Sequence, residues 1–174
     1  GMGGIGKTTL ASKVFNDERI IQNYPIRVWF RVPKKYSETD LLKDMIRKVG
    51  GSVKGAKSRA ELERKLVSLL SKNLLLVLDD VWRPKVWEYL LKNPLMLGAT
   101  SNCRIVVTTR DETVARNLGD NVHHVEKMDE ECGWELLWKT VWDNREKDDI
   151  SRFKEIGTKL VQKCDGLPLA LKVP

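Results

Sequence analysis

The chain has 174 residues, 41% hydrophobic and 32% charged, and its 31 Lys and Arg against 24 Asp and Glu leave a net charge of +7. This composition excludes a disordered chain, a collagen-like repeat and a disulfide-rich miniprotein, and the length suits one domain, or one and a fraction, with a buried core. The longest purely apolar run, Leu74–Leu78, is far too short to cross a bilayer.

Lys7 to Tyr24 reads as one helix, with Leu10, Val14 and Ile21 near one face. Ile26–Val32 is rich in β-branched and aromatic residues and predicts a strand that Pro33 ends. Ser37 is placed as an N-cap, and Leu41, Leu42, Met45, Ile46 and Val49 form the stripe of the helix that Gly50-Gly51 closes. Ser58 and Glu61 have capping-box spacing at the head of a further helix, whose apolar face is Leu62, Leu66, Leu69 and Leu70. Leu74–Leu78 shows no alternation, the pattern of a strand buried on both faces of a parallel sheet. Pro84 opens a short amphipathic piece with Trp87, Leu90 and Leu91.

Cys103–Thr109 predicts the next strand. A helix with Val114, Ala115 and Leu118 runs up to Gly119, and Val122–Glu126 predicts a weaker fourth strand. Strands alternating with helices mean βαβ units and a mostly parallel sheet. After Met128 the pattern is helical only. Trp134, Leu137, Trp138, Val141 and Trp142 follow the spacing of a packing face rather than a cofactor box. Asp143–Asp149 is a charged connector, Ile150–Lys163 a helix, and Gly166-Leu167-Pro168-Leu169 the start of a last apolar segment. The expected organisation is an α/β part over residues 1–127 and a helical part over 128–174.

Gly1-Met2-Gly3-Gly4-Ile5-Gly6-Lys7-Thr8 matches G-x-x-x-x-G-K-[ST] in full. A phosphate chain must approach backbone N–H groups closely, and a Cβ obstructs that approach. Glycine also reaches the positive φ that aims successive amides inward. The loop residues Gly1, Gly3, Gly4, Ile5 and Gly6 feed a helix N-terminus with unpaired donors and partial positive charge. Lys7 adds a point charge for the β- and γ-phosphates, Thr8 a hydroxyl oxygen for Mg²⁺, and Thr9 a further phosphate contact. In Leu74–Asp80 a buried strand delivers carboxylates to its C-terminal end, the edge where open α/β sheets bind ligands. There Asp79 is the partner of the metal ion, and Asp80 orients or deprotonates an attacking water. Aspartate is one methylene shorter than the glutamate many fast ATPases use, so slow hydrolysis is expected. The same edge rule puts Arg110, after Thr108-Thr109, near the terminal phosphate, where it distinguishes triphosphate from diphosphate.

The remaining features carry less. Basic residues are scattered, with Lys34-Lys35 the longest purely basic run, so no nucleic-acid partner is expected. Cys103, Cys132 and Cys164 are widely spaced and odd in number, and read as reduced thiols in or near a core. His123 and His124 are adjacent and would point to opposite faces of a strand, which does not make a metal site.

Taken together these motifs resemble the NB-ARC domain of plant disease-resistance proteins with nucleotide-binding and leucine-rich-repeat regions. The resemblance covers the whole chain in the right order. GMGGIGKTT at 1–9 resembles the P-loop, Phe15–Val32 the next block, LLLVLDDVW at 74–82 the Walker B block, Cys103–Arg110 the block ending in Thr-Thr-Arg, Trp134–Leu137 the following helix block and GLPLAL at 166–171 the last. Trp82 is similar to the coiled-coil-type subclass. The resemblance implies a P-loop NTPase parallel sheet whose central first strand would precede Gly1, leaving ladder groups unpaired, followed by part of a helical subdomain. It also implies ADP or ATP with Mg²⁺ as ligands, Arg110 as the phosphate-sensing arginine and Pro168 against the adenine ring. In function it implies a switch that ADP holds closed and ATP opens, weak ATPase activity, oligomers when activated, coiled-coil and leucine-rich-repeat regions outside this chain, and a cytoplasmic setting. The rivals are a conventional P-loop ATPase of a motor or processing type, which needs fast turnover, and a nucleic-acid module motivated only by the charge of +7.

Overall fold

The computed structural model describes residues 1–33, 35–56, 58–70, 73–82, 93, 97, 103–118, 121–141 and 150–172, the side chains of 150–152 excepted. Two units separate by their internal contacts: Thr8–Val122, and Gly1–Lys7 together with His123–Pro174. The expected amphipathic piece from Pro84, the stop at Gly119, Trp142 and the connector Asp143–Asp149 lie outside the described residues.

Helix α1 (Lys7–Phe15) does not continue to Tyr24. The Asn16 side chain turns back to donate to Ser12 O at 2.8 Å. Asp17 is extended and accepts from the Arg19 N–H at 2.9 Å, capping a separate helix α2 (Glu18–Asn23). An Asx residue offers the backbone this alternative partner, and here it wins over continuation of the helix. The packing face differs too. Ala11 is buried and Phe15 meets Trp29 edge-on at 5.5 Å, while Leu10, Val14 and Ile21 are each more than a third exposed.

Strands β1 (Ile26–Arg31), β2 (Leu74–Val81) and β3 (Cys103–Thr109) form a parallel sheet in the order β1-β2-β3. One face is lined by Val28 and Phe30, Leu74, Leu76 and Leu78, and Cys103, Ile105 and Val107. On it pack helices α3 (Glu38–Lys48) and α4 (Arg59–Leu69), through Leu41, Leu42, Met45 and Ile46 and through Leu62 and Leu66, with Leu70 at the α4 C-cap. Ser37 caps α3 by accepting from the Asp40 N–H, and both halves of the Ser58–Glu61 capping box form on α4. Helix α5 (Glu112–Leu118) adds Val114 to this core.

β2 carries ladders on both sides, Ile26 to Arg31 pairing Leu74 to Asp79 and Leu74 to Leu78 pairing Cys103 to Val107, whereas β3, last in the order, is paired on one side only among the described residues. One expectation for the sheet is not met. Val122–Glu126 forms no strand, and Val122 is 38% exposed. Its two valines are three apart, so an extended chain would send them to opposite faces and present neither face as apolar.

In the other unit, helices α6 (Glu130–Val141), α7 (Ile150–Lys163) and α8 (Pro168–Lys172) pack around Trp134, Val161 and Leu171. Of the predicted α6 stripe, Trp134 is buried, Leu137 and Trp138 are half-buried against it, and Val141 is exposed. Gly157 of α7 lies under the Trp134 ring, where a Cβ would overlap ring carbons. Of the thiols, Cys103 is buried and Cys164 half-buried, whereas Cys132 is exposed on α6. No described helix is long and apolar enough to cross a membrane.

Candidate nucleotide-binding site

The glycine loop adopts the backbone its composition calls for. Gly4 and Gly6 have φ of 78° and 102°, values a side chain would strain. Ile5 between them is buried, while Gly1 and Gly3 are exposed. α1 begins at Lys7 with no acidic residue in its first turn, so no carboxylate competes for its N-terminal amides. The Lys7 ammonium folds back on its own loop, donating to Gly1 O at 3.0 Å and Met2 O at 2.6 Å.

The last predicted motif meets this loop. Gly166 ends the turn after α7 at φ 63°, and Pro168 occupies the first position of α8, where a missing N–H costs nothing. The Leu169 N–H donates to Gly4 O at 3.2 Å. A Cβ built on Gly4 would stand 2.9 Å from the Leu169 Cβ, and one on Gly6 would stand 3.9 Å from the Pro168 Cγ. The absent side chain at Gly4 is therefore what lets this helix start sit on the loop, whereas at Gly6 a Cβ would make only ordinary contact. Sequence reasoning assigned Leu169 no part here. Its signal is visible only as a backbone contact.

At the C-terminal edge of the sheet, Asp79 is 4% exposed. Its Oδ1 accepts from the Thr8 hydroxyl at 2.8 Å and the Thr108 hydroxyl at 2.6 Å. No cation pairs with it among the described residues. Thr108 was read only as the approach to Arg110. It proves to be a second donor on Asp79, and its oxygen also accepts from the Asp80 N–H at 2.9 Å. The strand-end position beside Asp79 was the available signal. Thr9 is exposed on α1.

Asp80 stands at the register shift between Leu78 and Val81 with φ 61°, a left-handed backbone uncommon for a non-glycine residue. Its carboxylate lies between two guanidinium groups, with Oδ1 3.9 Å from Arg110 Nε and Oδ2 4.0 Å from Arg31 Nη2. Arg110 also lies over the Trp82 ring at 4.7 Å, a cation–π contact that helps hold it at the strand end.

The donor set suits a magnesium ion. A threonine hydroxyl and a buried carboxylate within hydrogen-bond distance are hard oxygen ligands. Magnesium commonly takes one or two such groups and completes its shell with phosphate and water. No group of three His, Cys, Asp or Glu that would make a self-sufficient metal cage occurs among the described residues.

Amides on a loop that runs into a helix, with hard oxygens at the end of a buried parallel strand, are how P-loop nucleotide-binding α/β domains divide the work of holding a polyphosphate. Within that class the assignment is specific: the NB-ARC domain profile matches residues 1–147, and the chain belongs to the NB-ARC family. Among its relatives are the disease resistance protein RGA2 of Solanum bulbocastanum, 35% identical over 99% of this chain and 18% of that protein. Two from Arabidopsis thaliana are the disease resistance protein RPP13, 33% identical over 99% of this chain and 21% of that protein, and the disease resistance RPP13-like protein 4, 31% identical over 99% and 20%. The chain thus spans about a fifth of the length of the curated relatives it matches.

Proposed function

We propose that this chain is the ADP/ATP-binding switch of a plant immune receptor, hydrolysing ATP slowly and signalling in defence. The carrying observation is the hydrogen bond from Thr8, the residue after the P-loop lysine, to the buried strand-end carboxylate of Asp79. It supports a metal-assisted polyphosphate site rather than a glycine-rich turn of no consequence.

In this reading the amides of Gly1, Gly3, Gly4, Ile5 and Gly6 and the α1 N-terminus hold the phosphates. Lys7 exchanges its loop carbonyls for β- and γ-phosphate oxygens, and Thr9 adds a phosphate contact. Thr8 and Asp79 hold Mg²⁺, which when bound neutralises charge on the terminal phosphates. Arg110 senses the third phosphate, Asp80 orients the attacking water, and Pro168 packs on the adenine. Asp80 is one methylene shorter than the glutamate many fast ATPases use at this place, which fits slow hydrolysis better than a motor. The two nucleotides switch the protein only to the extent that each prefers a different arrangement of the α/β part, 1–127, and the helical part, 128–174. Coiled-coil and leucine-rich-repeat regions elsewhere in the protein, a cytoplasmic setting and oligomerisation on activation complete the reading.

The test is nucleotide retention. Full-length protein carrying Lys7→Ala is purified and its released nucleotide quantified by chromatography beside wild type. Loss of ADP and ATP is expected, and a normal ADP content would refute the site. Steady-state turnover should stay below about 1 per second, the low end of ordinary enzymes. A rate well above that would favour a motor or processing ATPase.

A further inference from the structure

We propose that Arg31 is a positioning residue of this site: it retains the Asp80 carboxylate when Arg110 turns to a terminal phosphate, and thereby sets the preference for ATP over ADP. The inference rests on reading the strand-end cluster as the terminal-phosphate edge of a nucleotide site.

Arg31 ends β1, opposite Asp79 in the register, while Arg110 follows β3, so the two arginines reach the end of β2 from the strands on either side. Asp80 is set between them by its left-handed backbone and by the hydrogen bond from its N–H to Thr108 Oγ1. Each guanidinium faces a different carboxylate oxygen, at 4.0 Å for Arg31 and 3.9 Å for Arg110. These separations are attraction without a locked hydrogen bond, so either arginine can leave while the other stays. If Arg110 engages a phosphate, the cost of its departure depends on what Asp80 keeps. With Arg31 present the carboxylate keeps a counter-charge. Without it, a side chain only 21% exposed is left with none of its paired cations, and the carboxylate pulls Arg110 back. Arg31 itself is 76% exposed, so its effect belongs to the range of surface pairs, about two- to fivefold in an equilibrium constant.

The experiment uses full-length protein stripped of nucleotide and measures dissociation constants for ATP and ADP by fluorescent-nucleotide displacement. The variants are Arg31→Gln, Arg31→Lys, Asp80→Asn and the Arg31→Gln/Asp80→Asn pair, with melting temperatures for each. Arg31→Gln should raise the ATP-to-ADP ratio of dissociation constants two- to fivefold, chiefly through ATP, and Arg31→Lys should recover most of it. In the Asp80→Asn background Arg31→Gln should do nothing, because no carboxylate remains to be held. An unchanged ratio in Arg31→Gln would overturn the proposal. So would equal weakening of both nucleotides, which marks a structural role, or a full effect persisting with Asp80→Asn, which marks direct phosphate contact. If wild type binds neither nucleotide, the site reading itself fails. If Arg110→Ala shifts the ratio and Arg31→Gln does not, only the role of Arg31 fails.

Discussion

Replacing Asp79 with asparagine separates the charge of the strand-end group from its shape. The carboxylate is 4% exposed, and one oxygen takes both threonine hydroxyls, at 2.8 and 2.6 Å. Asp79→Asn keeps an oxygen for those donors. It forfeits the extra strength of a charged acceptor, about 1–2 kcal/mol per bond, but also removes a buried charge whose desolvation costs several kcal/mol. The two effects oppose and are of similar size, so the melting temperature should move by no more than about 5 °C. Asp79→Ala differs, because the Thr108 hydroxyl, in a residue 7% exposed, loses its acceptor. That costs about 1–3 kcal/mol, or roughly 3–10 °C. For nucleotide the distinction disappears: both variants should lose the gain in ATP affinity that Mg²⁺ confers on wild type, since neither supplies an anionic ligand. The assay is ATP binding with Mg²⁺ and with chelator, alongside thermal unfolding. Asp79→Asn protein with wild-type stability and undiminished Mg²⁺-dependent ATP affinity would refute the assignment.

Gly157→Ala should destabilise the α6–α7 pair by about 1–3 kcal/mol, because the new methyl overlaps the buried Trp134 ring. A thermal shift too small to resolve would count against that packing. The Asp17 carboxyl is held at about 2, below its usual 3.8, first by the Arg19 side chain and then by the Arg19 backbone N–H. A lowered folded value favours the folded state above the unfolded pKa, so this help to the α2 cap is present above about pH 4 and disappears as pH falls toward 2. An NMR titration giving Asp17 an ordinary aspartate midpoint would contradict the cap geometry.

Much of the fold was legible because the signals are local. The capping box at Ser58 and Glu61 and the cap at Ser37 formed as spaced, and the unbroken aliphatic run from Leu74 became a strand buried on both faces. The failures came where local pattern competes with something else. Leu10, Val14 and Ile21 keep helical spacing, but Asp17 ended the helix between them and the sheet took the Ala11–Phe15 side instead. Val122–Glu126 has strand-forming residues but no apolar face to bury.

By itself the sequence determined the glycine loop, its lysine and threonine, the strand that ends in two aspartates and the family these define. The physical reason is that each is a short run whose chemistry is complete along the chain: glycines for close amide approach, aliphatics for a doubly buried strand. Only the tertiary structure decided that Thr108 is a second donor to Asp79, that Leu169 hydrogen-bonds the loop at Gly4, and that Arg31 shares Asp80 with Arg110. Those pairings join residues tens of positions apart or more. The two at the strand ends are set by strand register and by the packing of α3 and α4 against one face of the sheet, where a one-residue slip would move each strand's side chains to the opposite face, and the Leu169 contact is set by where α8 starts on the glycine loop.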